Sequence, residues 1–290
     1  MNRFNNPQHQ TYIGKRGPEF SGMLSKLLKK GEISQEYIDK LLDKEGLDQF
    51  SIAFTHETSH PTRNYELLET LGDQTANKCV LWYFSKRFPS IFCPQGSDII
   101  TRIKIKYIQS ESFSEISDKL GFWDYISMDM QTRTGNNKDS PKYKILEDVF
   151  ESFCAVVEIL LDKKFGIGTG YSVCFQIISK IMDDMNVSID YITLNNPISI
   201  LKEIYDKLIS AGIRQKQAEY KIISSISPHH IKVYDNENIL GQGQQTLLIG
   251  EGKGSNAEIA KQEAAKNAIE TLKKEGISKK IPDAYLKFCV

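Results

Sequence analysis

The stretch Ile145–Leu161, ILEDVFESFCAVVEILL, constrains this chain most, because nearly every residue in it except the acids is apolar. A helix that is apolar all round belongs in a core. Asp148 and Glu151 stand three apart, so both project from one helical face. A buried, unpaired carboxylate costs several kcal/mol, so either cations pair these acids or they hold protons. No basic residue follows Lys144 until Lys163.

A second stretch answers the first. In NYELLETLGD, Asn64–Asp73, the acids Glu66, Glu69 and Asp73 are spaced i, i+3 and i+7 on one helical face. At about 1.5 Å rise per residue, Glu69 and Asp73 are one turn apart and can share an ion. Cys79–Phe84 is apolar all round, so this helix runs into a core and its acids are expected to be partly buried. The apolar surroundings of both sets weigh against a solvated acidic face, which needs polar neighbours beside it. Packed together, the two helices gather Glu69, Asp73, Asp148 and Glu151 into an oxygen-only cluster. Such donors suit Mg²⁺ or Mn²⁺ rather than zinc.

These motifs carry a resemblance. Glu66–Asp73, ELLETLGD, resembles the ribonuclease III signature, which usually reads ERLEFLGD. Lys144–Ser152, KILEDVFES, resembles that family's second acidic motif, near the form seen in Dicer-like enzymes. Phe54-Thr55-His56 matches its T-H element, and Gly96–Leu120, with Arg102 and Ser110, follows its intervening helices. The resemblance implies an all-α endonuclease domain over residues 21–190. It implies Glu69, Asp73, Asp148 and Glu151 as ligands, directly or through water, of two Mg²⁺ ions, with Mn²⁺ able to substitute, Asp73 and Glu151 also being counted as catalytic. It further implies that Glu66 orients water or RNA and that Lys144 contacts the scissile phosphate. Family enzymes of this size pair two such domains to cut both strands of double-stranded RNA, leaving short 3′ overhangs, so a homodimer is expected. One departure bears on pairing: the signature's Phe is Thr70 here.

Elsewhere the chain reads as follows. Residues 1–20 lack apolar periodicity and are expected to form a flexible tail. Short helices are expected around Met23–Leu28 and Tyr37–Leu42, with Gly46 ending the second. His56-Glu57-Thr58-Ser59-His60 is a literal H-E-x-x-H, the zinc-protease pattern. Pro61 disfavours helical geometry at His60, and no third ligand has a recognisable context. His56 is better read as fixing the chain locally before the acidic helix. Residues 131–142 read as a loop, 166–170 as a turn and 171–185 as a last helix of the domain.

The texture then changes. After a linker at 191–196, residues 197–275 read as a helix, three strands (Glu219–Ile226, Ile231–Tyr234, Gln245–Ile249) and a helix from Ala257 to Lys273. Asp235–Gly243 is expected to be the turn between the second and third strands, and 276–290 a tail. This small α+β order, α-β-β-β-α, resembles the double-stranded RNA-binding domain. Pro228-His229-His230 is similar to its G-P-x-H loop, and Gly252-Lys253-Gly254 and Ala260-Lys261 to the opening of its last helix. The resemblance implies Glu203, His229, Lys253, Lys261 and Lys266 as RNA-binding residues. The family's paired basic residues at that opening are replaced by Ala257-Glu258.

Composition narrows the remaining classes. Lys and Arg number 37, as do Asp and Glu, so the net charge is zero and RNA binding must come from local patches and metal. Five scattered cysteines without a C-x-x-C speak against disulfides or a cysteine zinc site. No apolar run is long enough to span a membrane, and the N-terminus lacks a signal-peptide core. A soluble, intracellular, cytoplasmic protein without a membrane partner is expected. The alternatives are a non-cleaving double-stranded RNA-binding scaffold or RNA-silencing suppressor and, more distantly, a zinc protease. Non-cleaving relatives lose acids, whereas all four are present here.

Overall fold

The structure, a computed structural model, describes residues 10–108, 111–134, 142–185, 187–239, 243–281 and 285. Ser110, Cys289 and much of both expected tails lie outside the described residues. The chain divides into two units, 1–187 and 188–290.

In the first unit, strand β1 (Thr11–Tyr12) leads into helices α1 (Pro18–Lys30), α2 (Gln35–Leu41), α3 (Lys44–Ala53) and α4 (Glu66–Arg87). There follow α5 (Ser97–Tyr107), α6 (Glu111–Lys119), β2 (Met128–Asp129), α7 (Met130–Thr134), α8 (Lys142–Phe165) and α9 (Thr169–Asp183). The apolar run is the central helix: every residue of α8 from Ile145 to Val157 is buried. Phe150 stacks on Phe113 and Phe153 on Phe50, with ring centroids 5.0 and 5.7 Å apart. Helix α4 buries Leu68, Gly72, Thr75, Ala76, Cys79, Val80, Tyr83 and Phe84, a stripe of three- and four-residue steps. It is not buried all round, however, since Trp82 is half exposed.

Three local expectations are corrected. Residues 10–20 are not a tail. β1 pairs antiparallel with β2, Thr11 facing Asp129, and Arg16 donates to Ser51 Oγ and to the carbonyls of Tyr125 and Phe54. Gly46 does not end a helix but lies inside α3, where its N–H donates to the Asp43 side chain at 2.8 Å as part of an N-cap. Within the expected loop 131–142, α7 covers Met130–Thr134; residues 135–141 lie outside the described residues.

The second unit holds α10 (Tyr191–Leu194), α11 (Pro197–Ser210), β3 (Glu219–Ser224), β4 (His229–Ile239), β5 (Gly243–Gly254) and α12 (Ala257–Lys274). The expected linker thus contains a helical turn. The strands form an antiparallel sheet in the order β3-β4-β5. Ile231, Val233 and Ile249 of the sheet are buried, as are Ala260, Ala264, Ala265 and Ala268 of α12. Gly250 and Gly252 let β5 approach α12 closely: a Cβ on either would fall 2.3 Å from a backbone atom of Ala260 or Ala264. Asp235 is no turn residue. It is buried in β4, where Arg214 Nη2 pairs with its Oδ2 at 2.8 Å. That ion pair lets the strand run beyond the polar residue at which the sequence pattern stops. The expected C-terminal tail is partly anchored, for Tyr285 is buried with its ring edge-on to Tyr191.

Candidate active site

Helices α4 and α8 bring the acids together because Gly72 carries no side chain. A Cβ there would lie 1.7 Å from the backbone oxygen of Glu151. The helices therefore touch backbone to backbone between Glu69 and Asp73 on one side and at Glu151 on the other. Carboxylate oxygens of Glu69, Asp148 and Glu151 lie within 4.8 Å of one another. Asp148 and Glu151 are buried and Glu69 half-buried.

Asp73 stands outside this closest set. Its Oδ1 accepts from Asn77 Nδ2 at 2.6 Å and its Oδ2 from Gln74 Nε2 at 2.8 Å. Glu66 is exposed in the first turn of α4 and is not part of the set either. Lys144 faces the acids: its Nζ is 2.7 Å from Asp148 Oδ1, 3.4 Å from Glu69 Oε1 and 3.5 Å from Glu147 Oε2. Burial works to lower the Lys144 pKa, but the contact with Asp148 and the surrounding acids raise it overall.

The cluster is short of positive charge. Burial first, then Glu147 and Asp73, push the Glu151 carboxyl up to about 8. Burial lifts Asp148 to about 6, against the pull of Lys144. Glu147, which the motif reading leaves without a role, is also raised, by burial first and against the pull of Lys144. Carboxylates in this condition suit a hard divalent cation, which would compensate the charge with oxygen donors alone.

Tyr65 escaped the sequence reading too. Its ring is buried one residue before α4, and its hydroxyl donates to Asp148 Oδ2 at 3.3 Å. Ser152 Oγ in turn donates to the Tyr65 carbonyl. An aromatic residue just before the first acidic motif was the only signal. The two histidines of H-E-x-x-H lie outside any helix: His56 Nδ1 accepts from the Thr58 N–H at 3.1 Å and His60 Nδ1 from the Arg63 N–H at 3.0 Å. Glu69, Asp148 and Glu151 form the sole group of three or more donors close enough to share an ion among the described residues, and neither histidine belongs to it. His56 fixes the loop locally, its ring edge-on to Tyr65 at 5.6 Å between centroids.

In the second unit, His229 opens β4 opposite Gly254, and exposed Lys253 pairs with His230 across the ladder. Lys261 lies 5.0 Å from the Tyr220 ring centroid. Lys266 is exposed further along α12, about 140° round the helix from Lys261, so the two do not share a face. Glu203, on the exposed side of α11, pairs with Lys279. The N-cap Asn256 accepts from the Ile259 N–H at 2.8 Å, and Glu258 is exposed in the first turn.

A cluster of oxygen donors between two core helices defines a candidate divalent-metal centre in a mainly helical unit. Known proteins with matching sequence point the same way. A family model, the ribonuclease III domain, matches residues 66–162. A protein of Invertebrate iridescent virus 6 that carries the name ribonuclease 3 is 33% identical over 295 residues, covering 96% of this chain and 95% of that protein. One of the same name from Frog virus 3 (isolate Goorha) is 32% identical, covering 88% of this chain, which spans only 63% of that protein's length. The nuclease domain of ribonuclease III from Campylobacter jejuni is similar at 22% identity and a TM-score of 0.40, over 55% of this chain and 97% of that one. The chain belongs to the ribonuclease III family of endoribonucleases.

Proposed function

We propose that this endoribonuclease hydrolyses phosphodiesters on both strands of double-stranded RNA, with Mg²⁺ as its working ion and Mn²⁺ able to replace it. The observation that carries the reading is the meeting of Glu69, Asp148 and Glu151 oxygens within 4.8 Å. These residues would hold the ion, with Asp73 beside them, kept in orientation by Asn77. When bound, Mg²⁺ polarises phosphate oxygens and makes a coordinated water more acidic. Lys144, whose side chain is 61% exposed, has the reach to meet the scissile phosphate from the solvent side. Glu66, exposed one turn before Glu69, is placed to orient water or RNA.

The α-β-β-β-α order of the second unit supports duplex RNA as substrate, because a module of that kind reads A-form shape through phosphates and 2′-hydroxyls. His229, Lys253 and the start of α12 are its candidate contacts; Glu203, paired with Lys279, is a weaker one. Leu67 and Leu71, spaced i, i+4 on α4 and both exposed, support a homodimer through this face. Two sites related by a twofold axis would cut opposite strands with a stagger, giving 3′ overhangs. Incubating the chain with long duplex RNA tests the reading. Mg²⁺ should yield short duplexes with 3′ overhangs and EDTA should stop cleavage, whereas duplex binding without cleavage in Mg²⁺ would leave only a scaffold.

A further inference from the structure

Trp82 of α4 is 49% exposed, and among the described residues its indole stacks on no other ring. Lys78 and Lys86, both exposed, stand one turn before and one turn after it, each about 6 Å away along the helix. Each ammonium is held over an aromatic ring of α9. Lys78 Nζ lies 4.4 Å from the Tyr171 centroid and Lys86 Nζ 4.5 Å from that of Phe175. Tyr171 and Phe175 are themselves spaced i, i+4 and share a face of α9. Trp82, Lys86, Tyr171, Ser172 and Phe175 line an open groove of about 310 Å³, near the lower end for small-ligand pockets at about 300 Å³.

Among the described residues neither lysine forms an ion pair, whereas the adjacent Arg87 pairs with Asp183 at 3.5 Å. Glu158, whose charge reaches Tyr171, is engaged by Thr75 Oγ1. The groove therefore offers an aromatic surface between two positive charges held in place. An apolar partner would cover both ammoniums without compensating them, and an acidic peptide would satisfy the lysines alone. A nucleotide satisfies both, its base on the indole and its phosphates on the ammoniums. Stacking rings beside backbone-tracking cations are how single strands are held without sequence preference. A duplex hides its base faces, so the nucleotides must be unpaired.

We propose that this groove binds unpaired nucleotides of RNA, one base stacking on Trp82 while Lys78 and Lys86 meet the phosphates on either side. RNA already reaches this unit, since the chain belongs to a family of endoribonucleases. The groove is distinct from the acidic cluster: Trp82 lies nine residues beyond Asp73, about 13 Å along α4 and about 180° round it. It stands whether or not the cluster holds metal.

Anisotropy of a labelled single-stranded oligoadenylate, titrated with the full chain in EDTA so that nothing is cut, tests it. Trp82→Ala should weaken binding about tenfold, and Trp82→Phe should keep most of it. Lys78→Gln with Lys86→Gln should flatten the slope of log K against log salt by about 1.4, for two phosphates at about 0.7 each. Both lysines are exposed, so the double variant keeps the test open should Trp82→Ala fold poorly. No binding by the wild type, equal affinity for a folded Trp82→Ala, or an unaltered salt slope in the double variant would each overturn the proposal. Displacement of the oligonucleotide by polyglutamate at equal charge would also overturn it, making the groove a reader of negative charge alone. A Trp82→Ala protein that sediments at half the mass of the wild type would instead make the groove a subunit interface. Cleavage of blunt duplex RNA in Mg²⁺ should be unchanged by Trp82→Ala, and a matching loss there would assign Trp82 to the site already described.

Discussion

Replacing Gly72 by alanine adds one carbon at the point where α4 and α8 touch. That carbon would sit 1.7 Å from the Glu151 backbone oxygen and 2.4 Å from its carbonyl carbon. Both obstacles are main chain in the middle of long helices, so no side chain can swing away. The helices must part by about 1.5 Å to restore van der Waals contact. Overpacking of this kind costs about 1–3 kcal/mol, or roughly 2–12 °C in melting temperature for a unit of this size. Function should suffer more, because Glu69 and Asp73 ride on one helix and Asp148 and Glu151 on the other. A misplacement on the order of 1 Å can cost about 100-fold in rate. Cleavage of duplex RNA in Mg²⁺, with melting in EDTA, reads both effects. Gly22→Ala in α1 is the matched control: nothing lies within 4 Å of its added carbon, and it should stabilise the chain by about 0.5–1 kcal/mol. A Gly72→Ala protein that cleaves and melts like the wild type would refute the backbone contact and the site geometry built on it.

Tyr65→Phe should keep the fold but weaken Mg²⁺ binding about tenfold or more, since it removes the donor that orients Asp148; an unchanged Mg²⁺ titration would count against that role. In EDTA, stability should fall as pH rises from about 5 to 8. Glu151 at about 8 and Asp148 at about 6 hold protons that the unfolded chain has already released above its ordinary carboxylate range. Urea titrations of wild type and Glu151→Gln across this window isolate the effect, and a wild-type profile that is no steeper than the variant's would sink it. Ala257→Lys with Glu258→Lys should raise duplex affinity and steepen its salt dependence, roughly one unit of slope per phosphate engaged; an unaltered slope in KCl would mean that this helix end does not face RNA. Sedimentation at micromolar concentration should show a dimer that Leu67→Glu dissociates, and a monomeric wild type with and without RNA would contradict the α4 interface.

The acidic helices were legible because acids in otherwise apolar helical runs leave few alternatives, and α8 spans Lys142–Phe165 much as its pattern requires. The contacts between helices were not. Nothing in local periodicity says that Asp73 is drawn to Asn77 and Gln74 rather than to Glu69, or that Lys144 turns back onto the acids. Glu147 did carry a signal, standing four residues before Glu151, but as a lone acid beside a motif it looked like one more helix residue. Residues 11–16 escaped because side-chain bonds from Arg16 to distant carbonyls hold them, and such bonds leave no periodic trace. Gly46 misled because a glycine near a helix end is more often a stop than the third residue of a capped start.

The seating of β5 on α12 has a consequence for any substitution scan of this protein. Gly250, Gly252 and Gly254 alternate along the strand, and at each an added carbon would collide with α12 at 2.3–2.6 Å. These positions carry no functional group, yet every replacement there should score as damaging as loss of a charged residue that touches RNA. Two of them flank Lys253, an RNA-contact candidate, so a cluster of sensitive sites at 250–254 would mix mechanical and chemical causes. The diagnostic is salt: damage from a lost phosphate contact shrinks as ionic strength rises, whereas damage from a displaced helix persists.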